Sequence, residues 1–388
     1  MENTRNSKKN APLLLLMSTV TLLAILCELV PSGVLPQMSE AFGVSIAKAG
    51  GLVGSYAIAS AIFGLPLVAY TVTWQRRRLL FILLMGFAVA NAVVSFAPSY
   101  EIAMVGRFMG GVCAGTLWPM ITAYGMALVD EKDQGRAVAI IMSGITVGMS
   151  VGLPLMTWIG TTYSYHASFL VLAAAPAIIA LACRMTLPDV PGEARSKGNS
   201  PLAMLNNRGV LLVICLTFLA VGANYGVYTY VSNLVTEIGY PGVAVAQLFF
   251  GAGSIVAVIL SMLFIDRHLH GMFVALYASG AATMALFYFT GSIVLFHGAF
   301  VLWGMGFGAM SSMFQTATAR QVTEGVAVAN AVQSMAFNFA IMVGSTGAGI
   351  LLEREGTRPI LLVAMAVLLV GLGIVVCNKK RFEGPTAK

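Results

Sequence analysis

The sequence predicts an all-α membrane protein: twelve transmembrane helices in two pseudo-symmetric six-helix bundles. Four observations carry this. Hydrophobic residues make up 58% of the 388-residue chain and charged residues 10%, against about 25% charged in a soluble protein. The apolar residues gather into twelve continuous runs, each near the ~20 residues a helix needs to cross a bilayer. The runs are Gly-rich and unbroken, which favours helices over barrel strands, whose residues alternate. Lysine and arginine are distributed unequally between the two sets of connections, as the positive-inside rule requires of a multi-pass protein.

In chain order the runs are 12–36, 48–70, 79–97, 101–128, 136–160, 167–187, 210–236, 243–264, 271–290, 293–318, 325–351 and 359–377. The first is preceded by Arg5, Lys8 and Lys9, as in a signal peptide. No small-residue cleavage site follows it, Glu28 interrupts it, and many further runs come after, so it reads as a retained helix. Connections are short except at 188–209, which opens Pro188-Asp189-Val190-Pro191-Gly192-Glu193 and mixes proline, glycine and charge. This is a polar linker. The chain thus divides into an N-terminal bundle (1–187), a linker (188–209) and a C-terminal bundle (210–388).

With both termini cytoplasmic, that side holds eighteen of the twenty-two Lys and Arg residues. The other side holds Lys48, Arg354 and Arg358, and Arg107 lies inside a run. Membrane topology therefore accounts for the net charge of +7 without nucleic acid. The expected location is a cell membrane, multi-pass, and the inner membrane in a Gram-negative cell.

The halves repeat. At an offset of 193, Gly111 and Gly115 fall on Gly304 and Gly308, Gly64 on Ala257 and Thr73 on Asp266. At 190, Ala137 and Ala139 fall on Ala327 and Ala329. Parallel repeats of this kind place a substrate site near the midplane, between the halves.

Polar residues inside the runs nominate the site. Of fifteen acidic residues only Glu28 lies well within a run, and of the basic residues only Arg107. A charge at that depth costs roughly 2.5–3.5 kcal/mol on insertion scales, so it is functional by default, and the two form a natural pair. In the fourth run Arg107, Gly111, Gly115, Trp118 and Thr122 form one helical stripe. In the eleventh, Asn330, Gln333, Ser334, Phe337 and Asn338 share one face. The seventh offers Asn224, Tyr225, Tyr228, Tyr230 and Asn233, from which Asn224 and Tyr228 are taken as candidates. Tyr56, Asn91 and Gln315 complete a proposed cavity lining with Trp118, Asn330, Gln333, Phe337 and Asn338. Buried amides also bond neighbouring helices, at about 0.6 kcal/mol each.

Other signals carry no chemistry. The five cysteines lie in or at the ends of apolar runs with no CxxC, as small buried residues do. Gly304-x-Gly306-x-Gly308 and Gly344-Ser-Thr-Gly347-Ala-Gly349 follow no strand and suit helix packing rather than a nucleotide. His268-x-His270 falls in a connection and reads as solvated. No Walker lysine, HExxH or GxSxG motif occurs, so an ATP-driven pump or embedded hydrolase has no support. No metal or cofactor is expected.

Four motifs resemble those of the major facilitator superfamily, and within it the drug:proton antiporter branch and its sugar-efflux/arabinose-efflux-permease group. They are Glu28-Leu-Val-Pro31-Ser-Gly33-Val-Leu35-Pro36, Gly64-Leu-Pro66-Leu running into Arg76-Arg77-Arg78, Arg107-Phe-Met-Gly110-Gly111-Val-Cys-Ala-Gly115, and Gly144-x3-Gly148-x3-Gly152-Leu-Pro154. The resemblance implies proton coupling through Glu28 and Arg107. It also implies a conformational switch involving Gly64, Arg77, Asp266 and Arg267, with Gly148, Gly152 and Pro154 letting the fifth helix pivot on second-half neighbours. The aspartate usual near Val72 and Thr73 is missing, which puts the first-half latch in doubt; the second-half copy keeps Asp266-Arg267.

The expected function is proton-coupled efflux of a small organic solute, such as a sugar, nucleoside or drug, by a monomer in the lipid bilayer. A proton-coupled uptake symporter of the same fold and a transport-inactive membrane sensor are the alternatives.

Overall fold

The computed structural model describes residues 2–130, 134–192, 204, 206–322 and 326–382. The side chains of residues 2–10, 134–136, 266, 326, 327, 380 and 381 are outside that description. All regular structure among the described residues is helical.

The first bundle comprises α1 (Glu2–Gly33), α2 (Ile46–Thr71), α3 (Arg76–Ser95), α4 (Tyr100–Ala127), α5 and α6 (Tyr165–Thr186). Here α5 is built from Gln134–Val147, a π turn at Gly148–Gly152, and Leu153–Thr162. The second comprises α7 (Arg208–Thr229), α8 (Val243–Ile265), α9 (Arg267–Phe289), α10, α11 (Val326–Glu355) and α12 (Thr357–Cys377). Here α10 is Ile293–Phe307 followed by Met310–Ala319. Side-chain caps fix several starts. Ser45 accepts from Lys48 N, Ser164 from Ala167 N, and Asn207 from Gly209 N and Val210 N.

Among the described residues, eleven helices are long and apolar enough to cross a membrane. The twelfth, α4, is 28 residues long; its glycines, Arg107, Trp118 and Pro119 dilute its hydropathy. It packs against α2 and α3 as a full member of the bundle. Around the outside, large apolar side chains such as Val105, Ile178 and Val294 are exposed, as suits a lipid-facing surface.

The structure corrects several element boundaries. The first run does not continue unbroken to 36: α1 ends at Gly33, and a short helix, Leu35–Phe42, starts with Pro36 in its first turn. Proline is favoured there because that N–H has no helical partner. The seventh run breaks at Tyr230 before a short helix, Val231–Glu237. No loop separates α8 from α9: the chain kinks at His268 (φ −128°, ψ 30°) and stays helical on either side.

The repeat is visible in packing. Gly111 of α4 lies against the Tyr56 backbone of α2, and Gly304 of α10 lies against the Phe250 backbone of α8. A β-carbon at either glycine would collide with main chain, so each half uses glycine to bring the same pair of helices into contact. Between bundles, α2 packs along α11 and α5 along α8.

Candidate functional site: a buried acid at the bundle boundary

Glu28 lies on α1, less than two turns before the break at Val34, and is 8% exposed. Its carboxylate accepts a hydrogen bond at Oε1 from Tyr225 Oη, 3.3 Å away. Tyr225 belongs to α7, so this bond crosses from the first bundle to the second. Its ring stands edge-on to Phe337 of α11, with centroids 6.3 Å apart.

Arg107 does not pair with the Glu28 carboxylate. Its Nε donates to Leu52 O (3.1 Å), its Nη2 to Glu28 O (2.9 Å) and its Nη1 to Cys27 O. Its guanidinium also sits over the Tyr56 ring, 4.4 Å from the centroid. The reason lies in Pro31. Proline has no N–H, so Cys27 O, four residues earlier, lacks its helical donor. Inside a membrane a freed carbonyl must be satisfied by a neighbour, and Arg107 supplies the donor. The expected acid–base pair is therefore a cation clamped to the α1 and α2 backbones beside a carboxylate that looks to the other bundle.

The remaining candidates separate. Tyr56 is fully buried beneath Arg107, and its hydroxyl has no partner among the described residues. Asn91 donates to Phe87 O (2.8 Å) and Cys27 Sγ (3.2 Å), tying α3 to α1. Asn224 accepts from Trp303 Nε1 at 2.7 Å, and the Tyr228 ring packs on Phe250 and Trp303, so both serve the second bundle's own core. Gln333 donates to Thr217 Oγ1 at 2.5 Å, joining α11 to α7. Asn338 bonds Ser334 O of its own helix, and Gln315, exposed, bonds Ser311 of its own. Trp118 is half-buried, as is Asn330, whose Oδ1 is unpartnered among the described residues. Of the expected lining, Tyr56 and Phe337 thus meet Glu28's surroundings, Phe337 through Tyr225. Tyr225 itself was only one of several polar residues in its run, and nothing in the spacing set it apart.

The switch candidates are also redistributed. Gly64 abuts the Gly115 backbone, as close packing of α2 and α4 requires. Gly148 and Gly152 face Leu22, Ile25 and Leu26 of α1, not second-half neighbours. The π turn holds an extra residue and turns Ser150 toward α8, where it donates to Gly251 O (2.9 Å). Thr157, three residues beyond the buried Pro154, donates to Gln247 Oε1 (2.7 Å). Arg77 pairs with Asp189 of the linker (3.0 Å) and donates to Leu187 O (3.3 Å), while Tyr124 Oη donates to Pro188 O (2.6 Å). The first-half arginine thus binds the linker. Arg267 is exposed, and the Asp266 side chain lies outside the described residues.

Further bonds between bundles lie at the end of the molecule opposite the chain termini. Tyr230 Oη, between Gly50 of α2 and Gly349 of α11, donates to Ser345 O of its own bundle (3.0 Å) and reaches Ala47 O of the first bundle at 3.5 Å. Ser45 bonds Glu353 across the same seam. That end is closed. Clefts of about 200 Å³ beside Trp74, Gln75 and Arg78, and about 170 Å³ beside Glu237 and Arg358, lie at the two ends and away from Glu28.

Two bundles of membrane-crossing helices that meet around a buried carboxylate define a transporter architecture. The chain belongs to the Major Facilitator Superfamily, whose family model matches residues 17–345. It is 29% identical to a chloramphenicol efflux pump of Mycobacterium tuberculosis, covering 93% of this chain and 91% of that one. It is 24% identical to the purine ribonucleoside efflux pump NepI of Escherichia coli, covering 90% and 89%. Its fold matches a bacterial homologue of the human lysosomal transporter Spinster with a TM-score of 0.76 at 14% identity, covering 98% and 99%. It is a multi-pass membrane transporter for small molecules, not an enzyme.

Proposed function

We propose that the protein exports a small organic solute in exchange for protons, with Glu28 carrying the proton. The observation behind this reading is the position of Glu28: it is buried, its carboxylate takes no hydrogen bond from Arg107, and it is hydrogen-bonded across the bundle boundary. Loading such a group with a proton changes a contact between the two moving bodies, and a carrier is coupled only if its two states bind the proton differently. The names of the two efflux relatives support the export direction and a small organic cargo.

The positive-inside distribution of Lys and Arg supports an outward orientation for the end where Tyr230 meets Ala47 and Ser45 meets Glu353. In the outward state Glu28 takes up a proton, and the neutral acid is cheaper to bury while the empty carrier returns. Inside, the proton leaves, Tyr225 donates to the carboxylate, and solute then drives the outward swing.

In proteoliposomes with an imposed pH gradient, wild-type protein is expected to drive chloramphenicol, or another neutral solute found by a growth-protection screen, against its concentration gradient. Glu28→Gln is expected to fold and to lose that proton-driven transport entirely. Full proton-driven export by Glu28→Gln sinks the reading. Solute accumulation in the direction of proton flow would instead identify an uptake symporter.

A further inference from the structure

We infer that Tyr225 is the positioning residue through which the proton on Glu28 acts on the second bundle, with α7 as the lever. The inference rests on the proton-carrying role proposed for Glu28.

The geometry runs in one line along α7. Tyr225 holds the Glu28 carboxylate at 3.3 Å, and five residues later Tyr230 closes the far end on Ser345 O and Ala47 O. Between and before them α7 is locked to α11. Gln333 bonds Thr217, and Gly226 and Gly344 bring the two backbones into contact. Phe337 fixes the Tyr225 ring edge-on. A displacement of Tyr225 therefore moves α7 and α11 together, and α11 is the helix packed along α2 at the closed end.

The chemistry supplies a reason to move. A phenol both donates and accepts, and its donated bond is stronger to an ionised carboxylate than to a neutral one. With Glu28 ionised the bond holds α7 to α1 in the conformer seen here. Protonation weakens it and so changes the hold that the first bundle has on α7 and, through α7, on α11. The titratable and charged groups around Glu28 are Arg107 from α4, Tyr56 from α2, Cys27 beside it on α1, and Tyr225 and Tyr228 from α7. Arg107 is committed to backbone carbonyls and Asn91 occupies the Cys27 sulfur, so Tyr225 is the group that reaches the carboxylate from the opposite bundle.

The test needs no solute and uses protons as the probe. Spin labels carried on unnatural amino acids at exposed Ala41 and Ser292, one on each bundle at the closed end, report the open fraction by pulsed dipolar spectroscopy across a pH series. Wild type is expected to shift population with pH and Glu28→Gln to show no shift. Tyr225→Phe keeps the ring on Phe337 and removes the hydroxyl; its shift is expected to shrink about tenfold, the scale of one hydrogen bond to an ionised group. A wild-type response in Tyr225→Phe alongside a silent Glu28→Gln overturns the role of Tyr225 and leaves the proposed function standing. A response in Glu28→Gln equal to wild type overturns both. Tyr225→Gln, which keeps a donor, is expected to retain the response, and Tyr225→Met, which keeps only bulk, to lose it. That pair decides the matter if Tyr225→Phe does not fold, and equal responses from the two overturn the inference.

Discussion

The same pair of helices is joined in two chemical ways. In the first bundle α1 meets α4 through a guanidinium held by Cys27 O, Glu28 O and, on α2, Leu52 O, with a carboxylate alongside. In the second, the counterparts α7 and α10 meet through an indole N–H donated to an amide, Trp303 to Asn224 at 2.7 Å, inside a cage of Phe250, Phe300 and Tyr228. One joint contains a cation and a neighbouring carboxylate, and the other contains neither. Both joints are buried, so both hold their bundle together, and on the proposed function only the first changes with a proton. The repeat has conserved the glycine-mediated close approach and divided the labour between halves.

Three substitutions sharpen or break this contrast, from the largest expected effect to the smallest. Arg107→Gln strips donors from three buried carbonyls. It is expected to cost at least about 3 kcal/mol, seen as a large drop in the detergent melting temperature together with loss of transport. A well-folded, active Arg107→Gln would show that the charged joint is dispensable. Trp303→Phe removes one neutral hydrogen bond and is expected to cost about 1 kcal/mol while leaving the proton dependence of transport unchanged. A shifted proton dependence in that variant would mean that the second joint also senses protons. Asp189→Asn breaks the partly exposed pair with Arg77. Such pairs contribute about 0–1 kcal/mol, so melting temperature and transport are both expected to stay near wild type, and a clear loss of transport would make the linker contact part of the gate.

Hydropathy revealed the helices because a backbone in lipid must satisfy itself, which forces long apolar runs. It also marked Glu28 and Arg107 as candidates, since charge there is costly. It did not reveal what they touch. Tyr225, Tyr228 and Tyr230 sit on a helix apolar all round, so no polar face sets its rotation. Which tyrosine reaches the acid and which one seals the end are decided by the packing of α7 against α11. The π turn at Gly148–Gly152 was hidden for a related reason: one extra residue in a helix leaves composition unchanged, and it is within this turn that Ser150 meets α8. The kink at His268 likewise stands where a loop was expected, because a single non-helical residue between two apolar runs leaves no mark in composition.

Pro31 gives the placement of charge a curious origin. Its ring removes a single hydrogen atom from the interior of α1, and the vacancy this leaves at Cys27 O is a socket for a cation. A guanidinium seated in that socket spends its donors on neutral oxygens. The acid one residue away therefore receives none of that cation's hydrogen bonds, although the positive charge lies close by. Seen this way, an imino acid three positions along the helix decides where the guanidinium's donors go, and the carboxylate oxygen is left to Tyr225 of the other bundle.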